Sequence, residues 1–196
     1  MREGYEKKFV RIAERVDRTD TSSITLEWAM FNVLNHPYIL NKAKVEMNNL
    51  LGHGREQRIM DESDISKLPY LRSIISETLQ LYPPGPLLAP HFSSGDCTTV
   101  GFDIPRDTIL LVNVWAIHRD PKPWEDAKSF KPERFESSQN MSYKLNAIRK
   151  GRRACPEPGA GLAHSVMGLA FRSLIQCFEW KRVDENEVHM IEGFHQ

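Results

Sequence analysis

Toward its C-terminus the chain reads Gly151-Arg152-Arg153-Ala154-Cys155-Pro156, and a helical apolar pattern begins a few residues later. Two adjacent guanidinium groups and the N-terminus of the following helix favour the thiolate form of Cys155. A thiolate is a soft ligand that suits iron, copper or zinc. Since most free cysteines are small buried hydrophobic residues, the run by itself leaves two interpretations open: a metal-binding thiolate or a core residue.

The composition limits the classes of protein to which the chain can belong. Its 196 residues include 26 Lys plus Arg and 26 Asp plus Glu, and this balance argues against a nucleic-acid-binding protein, which normally has a basic excess. Hydrophobic residues make up 40% of the chain, which is enough for a core. Cys97, Cys155 and Cys177 have neither the spacing of a C-x-x-C zinc site nor that of a disulfide framework, so we expect a reducing compartment.

The sequence also bears on membranes. No stretch reaches the roughly 18 apolar residues of a transmembrane helix. The start, Met1-Arg2-Glu3-Gly4, is not followed by the apolar region of a signal peptide. We therefore expect no transmembrane segment and no leader in this chain.

The spacing of apolar residues predicts a mainly α protein with a small β region near its middle. Polar residues 20–23 would interrupt a helix or cap one. The predicted helices cover approximately residues 5–16, 24–34, 37–51, 65–68, 69–82 and 162–178.

The sequence makes further predictions for two segments outside these helices and for the last helix. Short β-type runs separated by turn residues lie between 87 and 114. Residues 119–150 are irregular and too long for an ordinary connection, which indicates a functional or specially packed loop. The helix at 162–178 has few charges, so we expect it to be buried on most sides.

Several motifs occur in a fixed order along the chain. They read Thr19-Asp20-Thr21-Ser22, Glu77-Thr78-Leu79-Gln80, Trp115-Ala116-Ile117-His118-Arg119-Asp120-Pro121, Phe130-Lys131-Pro132-Glu133-Arg134-Phe135 and the cysteine run. In this order and spacing the chain resembles the C-terminal part of a cytochrome P450, of the plant microsomal, isoflavone-hydroxylase-like type. The resemblance covers residues 19–193, which leaves 1–18 as a non-matching helical segment and 194–196 as a tail. It implies an incomplete, C-terminal part of that fold.

The resemblance implies a haem-thiolate monooxygenase. Haem b would be held by the Cys155 thiolate, and O2 would be activated with electrons from NADPH through a cytochrome P450 reductase. The substrate would be a small organic molecule of phenolic or flavonoid type. Relatives sit on the cytoplasmic face of the endoplasmic reticulum through an N-terminal helix. Since we expect no such helix here, the chain would be cytoplasmic or reach that membrane only peripherally.

Individual residues acquire roles from the same resemblance. Asp20 and Thr21 would help to deliver protons at the haem, although a simple helix cap is the alternative for both. Arg153 and His91 would pair with the haem propionates, where a basic residue neutralises a buried carboxylate. A plain surface histidine remains the alternative for His91.

Glu77, Gln80 and Arg134 occupy the positions of a buried charge network that supports the haem pocket from behind. Residues three apart share a helix face, but the family has an arginine at the position of Gln80. Glutamine carries no charge, so Glu77 keeps only Arg134 as a charged partner. Because removing one member of a buried charge network typically costs about 3–5 kcal/mol, we expect the network to be weakened.

Other departures from the family pattern favour a second interpretation. Asp17-Arg18 replaces a small Ala-Gly pair, and Ile148-Arg149 replaces a Phe-Gly pair before the cysteine. Glu157-Pro158 stands as an insertion that would shift the start of the following helix relative to the sulfur. Together with a length less than half that of a typical member, these departures indicate an inactive remnant or an incomplete gene model. A third interpretation, a helical interaction module, has no motif in its favour.

Overall fold

The computed structural model describes residues 18–51, 62–88, 90–136, 157–182, 186–188 and 190. These residues are mainly helical with a small β region, as the sequence predicts. The helices are α1 (Arg18–Asn35), α2 (Pro37–Leu51), α3 (Glu62–Ile65), α4 (Pro69–Leu81), α5 (Val114–His118), α6 (Glu133–Glu136) and α7 (Glu157–Cys177). The strands are β1 (His91–Phe92), β2 (Cys97–Thr99), β3 (Phe102–Ile104) and β4 (Ile109–Leu110).

Prolines begin two of the helices, as predicted. Pro37 starts α2 directly after α1 ends, and Pro69 starts α4. Proline suits the first turn because the backbone N–H that it lacks would have no partner within the helix at that position. No side chain next to α4 caps its N-terminus. Instead Glu46 of α2 accepts hydrogen bonds from the backbone N–H groups of Tyr70 (2.7 Å) and Leu71 (3.0 Å), which fastens α2 to the start of α4.

Three predicted boundaries were wrong. Residues 20–23 lie inside α1 and do not interrupt it. Hydroxyl side chains fit there because they can bond back to the helix, as Thr25 Oγ1 does with the carbonyl of Thr21 at 2.8 Å. The short helix is Glu62–Ile65, not 65–68, in keeping with the preference for acidic residues in a first helical turn.

The third wrong boundary concerns α7, which begins at Glu157 and not at 162. Pro158 then falls in the first turn, where a missing N–H costs nothing. The pair Glu157-Pro158 is therefore part of the helix. The predicted helix at 5–16 lies outside the described residues.

The core forms where α4 packs against α1, α2 and α7. Every member is apolar and buried, and the largest include Leu71, Ile74, Tyr70, Met167 and Phe171. At the edge of this core, Trp28 of α1 stacks on Tyr82 with ring centroids 3.9 Å apart and an interplanar angle of 7°. The other three helices thus hold α4 in a fixed orientation.

The expectation that the last helix is buried on most sides was wrong. Met167, Phe171 and Ile175 of α7 enter the core, whereas Val166 and Leu169 remain 52% and 37% exposed. Helical spacing explains the difference, because these two sets point in different directions around the axis. One side of α7 is therefore an uncovered apolar surface within the described part of the chain.

The β region consists of two antiparallel pairs. His91 of β1 is opposite Leu110 of β4, and Thr99 of β2 is opposite Phe102 of β3. Val100 and Gly101 connect β2 to β3 with φ angles of 54° and 83°, as in the mirror-image turns that match the twist of a hairpin. No helix within the described residues is long and apolar enough to cross a membrane.

Candidate functional site

A buried ion pair joins α4 to α6. Arg134 Nε lies 2.9 Å from Glu77 Oε2, and the two side chains are 8% and 0% exposed. The N–H bond of Arg134 Nε does not point toward Glu77 Oε2, so the contact is an ion pair rather than a linear hydrogen bond. The other carboxylate oxygen, Oε1, accepts a hydrogen bond of 2.8 Å from the backbone N–H of Lys131. The carboxylate therefore receives two interactions from one short segment.

The guanidinium of Arg134 also organises the loop that precedes it. Its Nη1 donates to the carbonyl of Glu125 at 2.9 Å. Its Nη2 donates to the carbonyls of Asp126 at 3.1 Å and Ser129 at 3.0 Å. A planar group with five donors can make such contacts simultaneously. Part of the irregular region predicted at 119–150 is thus tied to α4 through one side chain.

Gln80 makes a second connection between α4 and this loop. Its side chain is fully buried, and Nε2 donates to the carbonyl of His118 and, at 3.2 Å, to that of Ala127. Both partners accept, which fixes the orientation of the amide. Its Oε1 has no hydrogen-bond partner among the described residues. The neutral side chain holds backbone carbonyls of the loop, while Arg134 provides the positive charge paired with Glu77 among the described residues.

Burial dominates the electrostatics of this site. It raises the pKa of Glu77 from its ordinary value of 4.5 to about 7, against the opposing effects of the Lys131 N–H and the Arg134 guanidinium. Burial also lowers the pKa of His118, whose imidazole lies at the edge of the same loop. The counter-charge of Arg134 thus only partly offsets removal of the Glu77 carboxylate from water.

Glu77 and Arg134 are in contact, and Gln80 donates to a carbonyl of the same loop that Arg134 contacts. Thr21 is half-buried inside α1, and Asp20 precedes it in the same helix. Neither residue therefore occupies the capping position before the helix. His91 lies exposed on β1. Arg153 and Cys155 lie outside the described residues, and so do Asp17 and the Ile148-Arg149 pair.

Sequence reasoning missed the residues that fasten the outer side of α6. Lys42 contacts Glu133 and Glu136, and Tyr70 contacts Glu133. Lys42 is 91 positions from Glu133, and no local pattern relates them. Among the described residues, no three His, Cys, Asp or Glu side chains cluster as a metal site would require.

The family comparison matches nearly the whole chain. The model of the cytochrome P450 family matches residues 18–195. The chain is 55% identical over 175 residues to an isoflavone 3'-hydroxylase of Medicago truncatula, covering 89% of this chain and 34% of that protein. It is 47% identical over 185 residues to an isoflavone 2'-hydroxylase of Glycyrrhiza echinata, covering 94% and 36%. The chain thus spans about a third of the length of these relatives.

Solved structures agree with the sequence comparisons. A zebrafish cytochrome P450 with progesterone superimposes with a TM-score of 0.67 and 32% sequence identity, covering 80% of this chain and 35% of that one. The helices that carry Glu77, Gln80 and Arg134 are therefore part of a known fold. From the matched residues and the shared architecture, the chain belongs to the cytochrome P450 family.

Proposed function

We propose that this chain supplies the thiolate-ligand part of a haem monooxygenase that hydroxylates a small organic compound. The observation that carries the proposal is the Glu77–Arg134 ion pair, which is formed with a separation of 2.9 Å although Gln80 replaces the second guanidinium. The desolvation cost of such a pair is offset only where further hydrogen bonds satisfy both groups, as the Lys131 N–H and three loop carbonyls do here. The similarity to proteins named as isoflavone hydroxylases points in the same direction.

In this proposal the Cys155 thiolate would hold the haem iron, and Arg153 and His91 would pair with the propionates. Bound haem would supply activation of O2, using two electrons that come from NADPH through a reductase. The described residues fit such a group in two respects. The His91 imidazole is exposed and able to meet an anion, and α7 presents Val166 and Leu169 as uncovered apolar surface.

Asp20 and Thr21 are proposed to relay protons to the reaction site. Both lie in α1, and because neighbouring residues of a helix do not face each other, each would act on the reacting group through its own contact. The carbonyl of Thr21 accepts from the Thr25 hydroxyl at 2.8 Å, which anchors this turn of the helix. The relay would need the Thr21 hydroxyl to face the reacting group.

Glu77, Gln80 and Arg134 are proposed to support the pocket without touching the reacting atoms. Together they fix the backbone of residues 118 and 125–131 against α4. The cysteine segment follows this loop later in the chain. These are positioning residues, and their contribution is to hold the loop in one conformation.

The substrate and location are also proposals. Relatives named as isoflavone hydroxylases suggest a phenolic or flavonoid-type compound. A microsomal reductase would make the cytoplasmic face of the endoplasmic reticulum the place of action. Since the chain spans about a third of its relatives, an activity of the whole protein requires the surfaces that the remaining two thirds provide.

A second candidate is an inactive remnant without haem chemistry. Gln80 favours it, because its Oε1 is buried without a hydrogen-bond partner among the described residues. The Glu157-Pro158 insertion favours it less than the sequence suggests, since both residues are accommodated in α7.

Spectroscopy of the reconstituted chain distinguishes the two candidates. The protein is incubated with haem, reduced and exposed to carbon monoxide. We expect the red-shifted Soret band of a thiolate-ligated iron. The Cys155→Ala variant should lose this band, and the Cys177→Ala and Cys97→Ala variants, which alter exposed free thiols, should retain it. A wild-type spectrum identical to that of Cys155→Ala would contradict the haem-thiolate function and support the remnant.

A further inference from the structure

The segment that carries both partners of Glu77 lies at the surface. Lys131 provides its backbone N–H and Arg134 its guanidinium. Lys131, Glu133 and Glu136 are all exposed, and α6 is only four residues long. Since so short a helix is not stable by itself, other contacts must hold this segment in place.

Besides the packing of Phe135 against Trp124, such contacts come from the outer side of α6. Lys42 Nζ lies 3.1 Å from Glu133 Oε1 and 2.9 Å from Glu136 Oε2. The hydroxyl of Tyr70 donates to the same Glu133 oxygen at 3.0 Å. Lys42 Nζ also lies 3.8 Å from the centre of the Tyr70 ring, a distance at which a cation is attracted to an aromatic face. Together, Lys42, Tyr70 and Glu133 form what we call the outer clamp.

The outer clamp and the buried ion pair act on neighbouring residues of one segment. Tyr70 and Glu77 both belong to α4, two helical turns apart, and therefore project from a similar side of the helix. Tyr70 meets Glu133, and Glu77 meets Arg134. The backbone of Tyr70 is itself held by Glu46, one turn after Lys42 on α2. Helix α2 thus fixes the start of α4 and the outer face of α6 together.

We propose that Lys42 and Tyr70 are positioning residues, which act through Glu133 to hold Arg134 and the Lys131 N–H against Glu77. A surface salt bridge alone contributes little to stability. Here the same contacts determine whether a buried carboxylate keeps its partners. We therefore expect substitutions of Lys42 and Glu77 to have non-additive effects on stability, although the two side chains are not in direct contact.

A double-mutant cycle tests this coupling in the chain without haem. The positioning role, which rests on the proposed function, can therefore fail while the haem proposal stands, and the reverse is also possible. Lys42→Met is combined with Glu77→Gln, and unfolding is measured in urea at pH 8 and at pH 5.5. Loss of the clamp should leave ionised Glu77 poorly partnered, so Glu77→Gln should be less destabilising in the Lys42→Met protein. We expect a coupling of about threefold to fivefold in the unfolding equilibrium constant at pH 8, and a smaller one at pH 5.5.

Two further cycles separate positioning from a direct effect of charge. Tyr70→Phe removes the hydroxyl that contacts Glu133 and leaves every charge unchanged, and it should couple to Glu77→Gln with the same sign. Lys181→Met breaks the exposed pair with Glu179, 2.8 Å apart, and should be additive. Additivity in all three cycles would overturn the proposal, and so would coupling by Lys42→Met without coupling by Tyr70→Phe.

Hydrogen exchange gives a second measurement if a double variant does not fold. The amide of Lys131 donates to Glu77, so its protection reports the contact directly. In Lys42→Met we expect that protection to fall at least about threefold, and in Lys181→Met to stay unchanged. Lys42→Arg should restore it. Equal protection in Lys42→Met and the wild-type protein would contradict the positioning role.

Discussion

The two sides of α6 carry ion pairs of almost the same length in different surroundings. Arg134 and Glu77 are 2.9 Å apart and nearly inaccessible to water. Lys42 and Glu133 are 3.1 Å apart, with side chains 31% and 45% exposed. Coulomb attraction is much stronger where water is excluded, but the loss of hydration is greater there too. Distance therefore does not indicate strength, and the two pairs should respond differently to substitution and to pH.

The largest effect is expected for Arg134→Met. It leaves the buried Glu77 carboxylate without a counter-charge and frees three loop carbonyls. The free energy of unfolding at pH 8 should fall by about 3–5 kcal/mol, measured by urea denaturation. At pH 5 the loss should be smaller, because protonated Glu77 needs no counter-charge. An equal loss at both values of pH would show that the charge on Glu77 is not involved.

The pH dependence of stability follows from Glu77. Its pKa is about 7 in the folded chain, against an ordinary value of 4.5. The folded state therefore binds this proton more tightly, so the contribution of Glu77 is fully present below pH 4.5 and is lost as the pH rises through 7. The difference corresponds to roughly 3 kcal/mol. In Glu77→Gln the loss of stability that Glu77 causes between these values should be absent, whereas an unchanged slope would assign it to other groups.

Gln80 offers a smaller and more specific change. Gln80→Ala removes the donor to two buried carbonyls, those of His118 and Ala127, and should lower the free energy of unfolding by about 1–3 kcal/mol. Gln80→Arg should act in the opposite direction, because it adds a second positive charge near Glu77. We expect its melting temperature to rise. No increase would mean that the pocket around α4 is already adapted to a neutral side chain.

The smallest effect is expected on the exposed side of α6. Lys42→Met should lower the free energy of unfolding by at most about 1 kcal/mol, and moderate salt should reduce the difference from the wild-type protein. A loss as large as that of Arg134→Met would show that the two ion pairs do not differ in the way their burial indicates. Calorimetry at two salt concentrations provides this comparison.

Local patterns predicted the parts of this fold that local chemistry determines. Pro37 and Pro69 fix the starts of α2 and α4, and short β-type runs separated by turn residues indicate the β region between 87 and 114. The motifs around Glu77 and Arg134 predicted their proximity through a family resemblance. No such signal exists for Lys42, because its partners are 91 and 94 residues away.

The errors also have a common physical origin. Composition alone predicted that α7 is buried on most sides, but burial depends on which helices surround it, and only one side meets the core. Residues 20–23 look like a helix boundary because Ser, Thr and Asp compete locally with the helix. Packing of α1 against α4 and α7 overrides that preference, since tertiary contacts outweigh propensities of less than 1 kcal/mol per residue.

Helix α4 keeps a buried, ion-paired carboxylate without a second arginine beside it. Isotope-edited infrared spectroscopy of the Glu77 carboxyl, titrated in the folded chain, tests this directly, with Glu77→Gln to identify the band. We expect a midpoint near pH 7, and a shift to higher pH in Arg134→Met. A midpoint near 4.5, unaffected by Arg134→Met, would place Glu77 in contact with water and contradict the buried ion pair.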